Sequence, residues 1–225
     1  MSKSADIQVI GARLFFLPIT MRLPLKFGRE TVTSVTCARA CVRAANRKGQ
    51  TSEGWGETPL SVQWVWPSTS SCEVRLDQLK DLCVRLAEAW VRYGEFGHPI
   101  EIGHDFQQHI LPSVLNDANL RRALEHPSTD GSKDREPGQD ERAGEPIPWL
   151  AALLCSSVID QAVHDVYGKL LEQPVYETYS SEFMTRDLAQ FLGRANTTHV
   201  SFEGKYIRDY LLPRRVNRLP AWHLV

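Results

Sequence analysis

The stretch Ile147-Pro148-Trp149-Leu150-Ala151-Ala152-Leu153-Leu154-Cys155-Ser156-Ser157-Val158-Ile159-Asp160-Gln161-Ala162-Val163-His164-Asp165-Val166-Tyr167-Gly168-Lys169 decides how the rest of the chain is read. Leu150, Leu153, Leu154, Ile159, Ala162, Val163, Val166 and Leu170 recur at helical spacing, which is the apolar stripe of a helix packed against a core. Pro148 suits the opening turn, and Gly168 with Pro174 marks the exit. The residues upstream supply what this helix lies against.

Residues 7–18 are β-branched and aromatic and read as a strand, followed by a loop over 20–29 that contains Pro24 and Gly28. A second strand covers 31–45, and Asn46-Arg47-Lys48-Gly49 turns the chain into a third over 51–57. Three sequential strands with short connections form an antiparallel meander. Beyond Pro67 the period changes: Ser70 and Ser71 are helix caps, and Leu76, Leu79, Leu82, Cys83, Leu86 and Trp90 follow helical spacing until Gly94. A further helix is expected over 102–111, with Pro112 as a kink or stop and a resumption over 114–124. Residues 126–146 are polar, rich in Gly and Pro and without an apolar anchor, and read as a mobile insertion. The fold class expected is α+β, a three-stranded meander followed by a helical layer.

Composition narrows the function. The chain has 225 residues, a formal net charge of -1, 42% hydrophobic and 24% charged residues. Balanced charge argues against nucleic acid or an anionic membrane as partner, and no apolar run is long enough to span a bilayer. Cys37, Cys41, Cys72, Cys83 and Cys155 form no CxxC pair and are odd in number. Buried thiols in a reducing cytoplasm are the expectation. No P-loop, GxGxxG fingerprint or internal repeat is present.

Three segments carry a resemblance. Ala162-Val163-His164-Asp165-Val166-Tyr167-Gly168-Lys169 with Pro174-Val175-Tyr176 resembles the A-L-W-D-x-x-G-K…P-V-Y signature of the enolase superfamily, in its mandelate racemase/muconate lactonizing enzyme branch. Glu53-Gly54-Trp55-Gly56-Glu57 is similar to the family's G-x-G-E strand end, and Pro24-Leu25-Lys26-Phe27-Gly28 to its first mobile loop. They occur in family order. The resemblance implies an enolase-like N-terminal capping domain over 1–176, then a linker and the first strand of a truncated (β/α) barrel over 177–225, with Leu219-Pro220-Ala221-Trp222-His223-Leu224-Val225 as that strand.

It also implies a Mg²⁺-dependent isomerase or lyase (a racemase, cycloisomerase or acid-sugar dehydratase) that abstracts the proton α to the carboxylate of a small-molecule substrate. A complete barrel takes roughly 250 residues, and neither the K-x-K strand nor the spaced acidic ligands are found here. No catalytic residue and no metal ligand is therefore assigned, no cofactor is expected for this chain alone, and the competing reading is a non-catalytic capping fragment. By resemblance, the loops 20–29 and 58–66 shape the substrate pocket. Lys26 would meet a distal anionic group, and Phe27, Trp64 and Trp66 would wall the pocket. As plain residues, the same four read as a solvated lysine and aromatics that pack the meander onto the helices. A homo-oligomer is left open as a partner.

Two readings belong to another class. His104-Asp105 and His164-Asp165, flanked by His98 and His109, follow the pattern of an HD-type metal phosphohydrolase. That fold is all-helical, whereas the first third of this chain reads as strands. Cys155 with Ser156, Ser157 and His164 places a nucleophile near a base, but on one regular helix with no strained turn, so packing residues are the expectation.

Overall fold

The computed structural model describes residues 3–27, 30–68, 70–125, 145–193, 200–213 and 216–221, with the side chains of Phe27, Glu30 and Glu125 left aside. Strands β1 (Ile7–Phe27), β2 (Glu30–Asn46) and β3 (Thr51–Pro59) form one antiparallel sheet in the order β1-β2-β3. The expected meander and α+β class are what the chain adopts. Pairing runs from Ile7 opposite Asn46 to Phe27 opposite Glu30, and from Ala45 opposite Thr51 to Cys37 opposite Pro59. Gly49, at φ 79°, supplies the left-handed residue of the β2–β3 turn.

Strand alternation sends Ala38, Ala40, Val42 and Ala44 to one face, where all four are buried. Helices α2 (Cys72–Tyr93) and α5 (Trp149–Leu170) cover that face. Ser71 caps α2 by accepting the Val74 N–H at 3.3 Å, and Gly94 ends it at φ 67°. Between strand and helix lies the single turn α1 (Val62–Val65). Helices α3 (Pro99–Asp105) and α4 (Leu111–Glu125) complete the layer. Among the described residues, no helix is long and apolar enough to cross a membrane.

Several expectations are corrected. Residues 20–27 are not a loop: β1 continues to Phe27, because the β-branched Thr31 and Val32 offer Lys26 and Leu25 a partner strand. The register slips there, with residues 21–24 opposite the single residue Thr33, and this bulge absorbs Pro24, which has no N–H to give. Pro112 does not stop its helix, which runs on to Glu125. A π turn at Phe106–Ile110 precedes it, and that wider turn gives room to the proline ring. Leu150 is 44% exposed because the face of α5 turned to the core carries Ala151, Ala152, Cys155, Val158 and Ile159 instead.

The chain past α5 stays attached to this unit. Thr178 and Met184 are buried, and the buried Glu101 carboxylate accepts the N–H of Thr185 at 2.6 Å, the N–H of Arg186 at 2.7 Å and the Thr185 hydroxyl at 2.8 Å. Asp187 then caps the short helix α6 (Leu188–Leu192). Residues 216–221 carry no strand, so the expected barrel strand does not form over 219–221, and Leu219 is 81% exposed. Trp222, His223, Leu224 and Val225, like residues 126–144 of the insertion expected over 126–146, lie outside the described residues.

Candidate functional site

Two of the three segments quoted for the resemblance, Glu53–Glu57 and the helix stretch from Ala162, meet along a seam between β3 and α5. A Cβ on Gly54 would run into the Ala162 carbonyl oxygen and the Val166 amide nitrogen, and one on Gly56 into the Val158 carbonyl. Two glycines spaced by two residues therefore let a strand lie directly on helix backbone. The helix answers with small residues: Ala162 and Val158 are fully buried.

Side chains of α5 then close the strand's outer edge. The Asp165 carboxylate accepts the Trp55 N–H at 2.7 Å and the Lys169 ammonium at 2.6 Å. The Gln161 side-chain oxygen accepts the Glu57 N–H at 3.4 Å, while its amide donates to the Thr58 hydroxyl at 3.1 Å. Thr58 and Ser157 share a further bond at 2.8 Å. Asp165, the aspartate of the D-x-x-G-K-like stretch, holds a strand edge. Gln161, Thr58 and Ser157 were missed. Their only sequence signal is that three polar residues share the helix and strand faces bearing the small residues.

The seam fixes where β3 ends and hence where the next segment goes. Leu60, 2% exposed, turns inward, and α1 follows it. Trp64 is 53% exposed at this end of the sheet, whereas Trp66 is 2% exposed and packs in the core with the Arg122 guanidinium 4.9 Å above its ring. Lys26 sits on the β1–β2 arm opposite Thr31, beyond the last β2–β3 pair at Cys37. The Phe27 side chain lies outside the described residues. Lys26 and Trp64 thus stand at the same end of the sheet and are exposed, and Trp66 is not.

The uncovered sheet face carries Phe15 stacked on Trp55 at 6.1 Å between ring centres. Two cross-strand bridges flank them, Arg13–Glu53 at 2.8 Å and Arg39–Glu57 at 2.6 Å. Arg39, Trp55, Gly56, Glu57 and Gln161 line an open groove of about 480 Å³ there.

Of the histidines singled out in the sequence, His98, His104 and His164 have polar partners. His98, fully buried, accepts the Ile100 N–H through Nδ1 at 3.2 Å and caps α3, so its proton sits on Nε2, 3.2 Å from the Thr178 hydroxyl. Burial pulls its pKa down to about 3, with His164 adding to the effect. His164 Nδ1 is 3.0 Å from the Tyr179 hydroxyl. Burial lowers the His164 pKa against the pull of Asp160, while burial raises that of Asp160. At His104-Asp105 the carboxylate takes two bonds from Arg186, at 2.8 and 2.9 Å. Burial opposes ionisation of Asp105, but the guanidinium outweighs it and holds the pKa below its ordinary value.

Among the described residues, no group of three or more His, Cys, Asp or Glu side chains is arranged to hold a metal ion. The acids of the two His-Asp pairs are bound to guanidinium, ammonium and backbone N–H, so the described residues fit neither a Mg²⁺ centre nor an HD-type one. Cys155 is fully buried beside the Leu79 carbonyl at 3.5 Å, and its hydrogen bond with Cys83 and its burial push the thiol pKa well up. It packs; it does not attack.

No protein-family model matches the chain, and no curated protein matches it in sequence. Solved structures similar to it include the L-Ala-D/L-Glu epimerase from Bacillus subtilis in a substrate-liganded complex, at 13% identity and a TM-score of 0.39, covering 77% of this chain and 34% of that one. An enolase from Bradyrhizobium complexed with magnesium and mandelic acid is 13% identical with a TM-score of 0.37, covering 76% and 34%. The dipeptide epimerase from Enterococcus faecalis V583, complexed with Mg and the dipeptide L-Leu-L-Tyr, is 12% identical with a TM-score of 0.37, covering 77% and 34%. The chain spans about a third of the length of each.

Proposed function

We propose that this chain is the capping part of a Mg²⁺-dependent enzyme of the enolase superfamily, in its mandelate racemase/muconate lactonizing enzyme branch, working in the cytoplasm. The observation that carries the reading is the seam: the G-x-G-E-like strand end and the D-x-x-G-K-like helix, far apart in sequence, share a hydrogen bond from the Trp55 N–H to Asp165. Glycines are required where the two touch.

In this reading the chain contributes shape and specificity, and proton abstraction α to a carboxylate is carried out by residues of a barrel. Lys26 and Trp64 stand exposed at the end of the sheet that would face the substrate, and Phe27 follows Lys26 in the same arm. Trp66 acts from behind, as the packing under α1. Without a barrel the chain is a non-catalytic cap, with no cofactor of its own.

The test combines binding and exchange. Titrated with Mg²⁺ in a calorimeter, the chain is expected to bind no better than millimolar; a stoichiometric site tighter than about 10 µM overturns the reading. In D₂O with Mg²⁺ and mandelate or a dipeptide, the chain alone is expected to leave the α-hydrogen unexchanged. Exchange above the protein-free rate would make it a self-contained enzyme.

A further inference from the structure

Past α5 the chain returns along α3 and α5 through a single 3₁₀ turn, Val175–Thr178, and Thr178 and Tyr179 are buried there. Each of these two residues meets an imidazole. The Thr178 hydroxyl donates to the Val175 carbonyl at 2.6 Å, so it accepts from His98 Nε2–H at 3.2 Å. The Tyr179 hydroxyl lies 3.0 Å from His164 Nδ1. The Tyr179 ring meets both imidazoles edge to face, His98 at 5.8 Å and His164 at 5.9 Å between centres. One histidine from α5 and one from the cap of α3 thus share a phenol ring of the returning segment.

Both rings accept a hydrogen bond through Nδ1. His98 Nδ1 takes the Ile100 N–H at 3.2 Å. His164 turns Nε2 toward the Asp160 carboxylate, 3.9 Å away, and its Nδ1 takes the Tyr179 O–H. A second proton on either ring goes onto Nδ1, where a donor already points at it. At His98 that donor is a backbone N–H, which cannot turn away. At His164 the hydroxyl has to rotate and give up its acceptor. Burial works in the same direction, drawing the His98 pKa down to about 3 and lowering that of His164. Asp160 favours a charged His164, but at 3.9 Å it is beyond hydrogen-bond reach. Asp165 is engaged by Lys169 and the Trp55 N–H, and Glu172 lines the open groove beside His164. Tyr176 meets the Tyr179 ring at 5.8 Å. The Tyr167 ring lies 4.8 Å from that of His98, and Asp6 and Glu101 act on its hydroxyl.

We propose that the two histidines form an acid-operated latch: neutral His98 and His164 hold residues 175–180 against α3 and α5, and protonation of the rings releases that segment while the sheet and α5 stay folded. Once released, each imidazolium can donate to water instead of facing a donor. With the folded pKa depressed, the holding contact is fully present above the ordinary histidine value of about 6.5 and is lost as the pH falls below it. Between pH 7 and 5, His98 alone should raise the open fraction about twentyfold. Both ends of the segment are fixed independently, by α5 before it and by the Glu101 carboxylate on the Thr185 and Arg186 N–H groups after it. What opens is therefore a strap tied at each end. The proposal does not depend on the enzyme family proposed above.

The test is hydrogen exchange of the full chain between about pH 7 and pH 5, read by mass spectrometry and corrected for the intrinsic rate at each pH. Peptides covering residues 175–180 are expected to lose protection at least about tenfold over that range, while those of β3 keep theirs. His98→Asn combined with His164→Gln retains an uncharged acceptor at each place, and asparagine is also a good helix cap. Protection in that variant should stay level. Equal protection of the wild-type strap at both pH values overturns the proposal, as does an acid loss of the same size in the double variant. So does a loss shared equally by β3, which is unfolding of the whole unit. A second measurement needs no variant: followed by NMR in the wild type, both imidazoles should titrate at the pH where the strap opens. A ring that takes up its proton while the strap remains protected overturns the latch.

Discussion

Strand β3 and the free arm of β2 are the same kind of extended backbone in the same sheet, yet their edges end differently. β3 lies on helix backbone through Gly54 and Gly56, and its outward N–H groups are met by Asp165 and Gln161 from more than a hundred residues away. The arm has neither helix nor acceptor. The difference shows that a sheet edge can be closed by single side chains of a packed helix, and that closure then reaches only as far as the helix does. Stability should accordingly be concentrated at the seam and nearly absent from the arm.

That contrast can be broken in order of size. Gly54→Val pushes a branched side chain into the backbone of α5 and should cost about 3 kcal/mol or more in denaturant unfolding. Thr33→Val on the arm should stay within about 0.5 kcal/mol of wild type. If the two effects are alike, the seam is not where the fold is held.

Acid should loosen the helical side next. The His98 pKa is depressed in the folded state, so the unfolded chain takes up a proton that the folded one refuses once the pH falls below the ordinary histidine value. The stabilising difference is present above about pH 6.5 and is lost as the pH falls toward 3. Between pH 7 and 5 the loss should be about 2 kcal/mol, and His98→Gln should flatten it. An unchanged slope in that variant would assign the acid sensitivity elsewhere.

Asp165→Ala removes the acceptor of the Trp55 N–H at a half-exposed position and should cost about 1 kcal/mol, with Asp165→Asn recovering most of it. Equal losses in both would mean that the Lys169 pair, and not the strand edge, is what Asp165 serves. The smallest effect is expected from Leu23→Ser, within about 0.5 kcal/mol of wild type by thermal melting, because that side chain is already largely in water.

Sequence made the seam legible and the arm much less so. Gly54, Gly56, Asp165 and the small residues of α5 are unusual choices at fixed spacing, so they announce a close contact before any partner is known. Pro24 announces a break, and the break is real, but the bulge contains it and β1 runs on. That outcome depends on what β2 offers across the gap, which no local pattern records. Pro112 failed as a stop signal for the same reason: a π turn lies ahead of it, and the helix runs on. Trp66 looked like its neighbour Trp64, and only the packing of α4, with Arg122 over the indole, separates a buried ring from an exposed one. Glu101 gave no sign of being an anchor, because its partners at Thr185 and Arg186 lie 84 and 85 residues on.

The seam also sets a timetable for synthesis. Trp55 and Asp165 are 110 residues apart, so a ribosome adding 5–20 residues per second needs about 5–20 s to make the acceptor after the strand has emerged. Throughout that interval the edge of β3 is as bare as the arm remains afterwards. The nascent chain therefore passes through a stage in which two uncapped edges are exposed together, and anything that delays translation between them prolongs its exposure to aggregation.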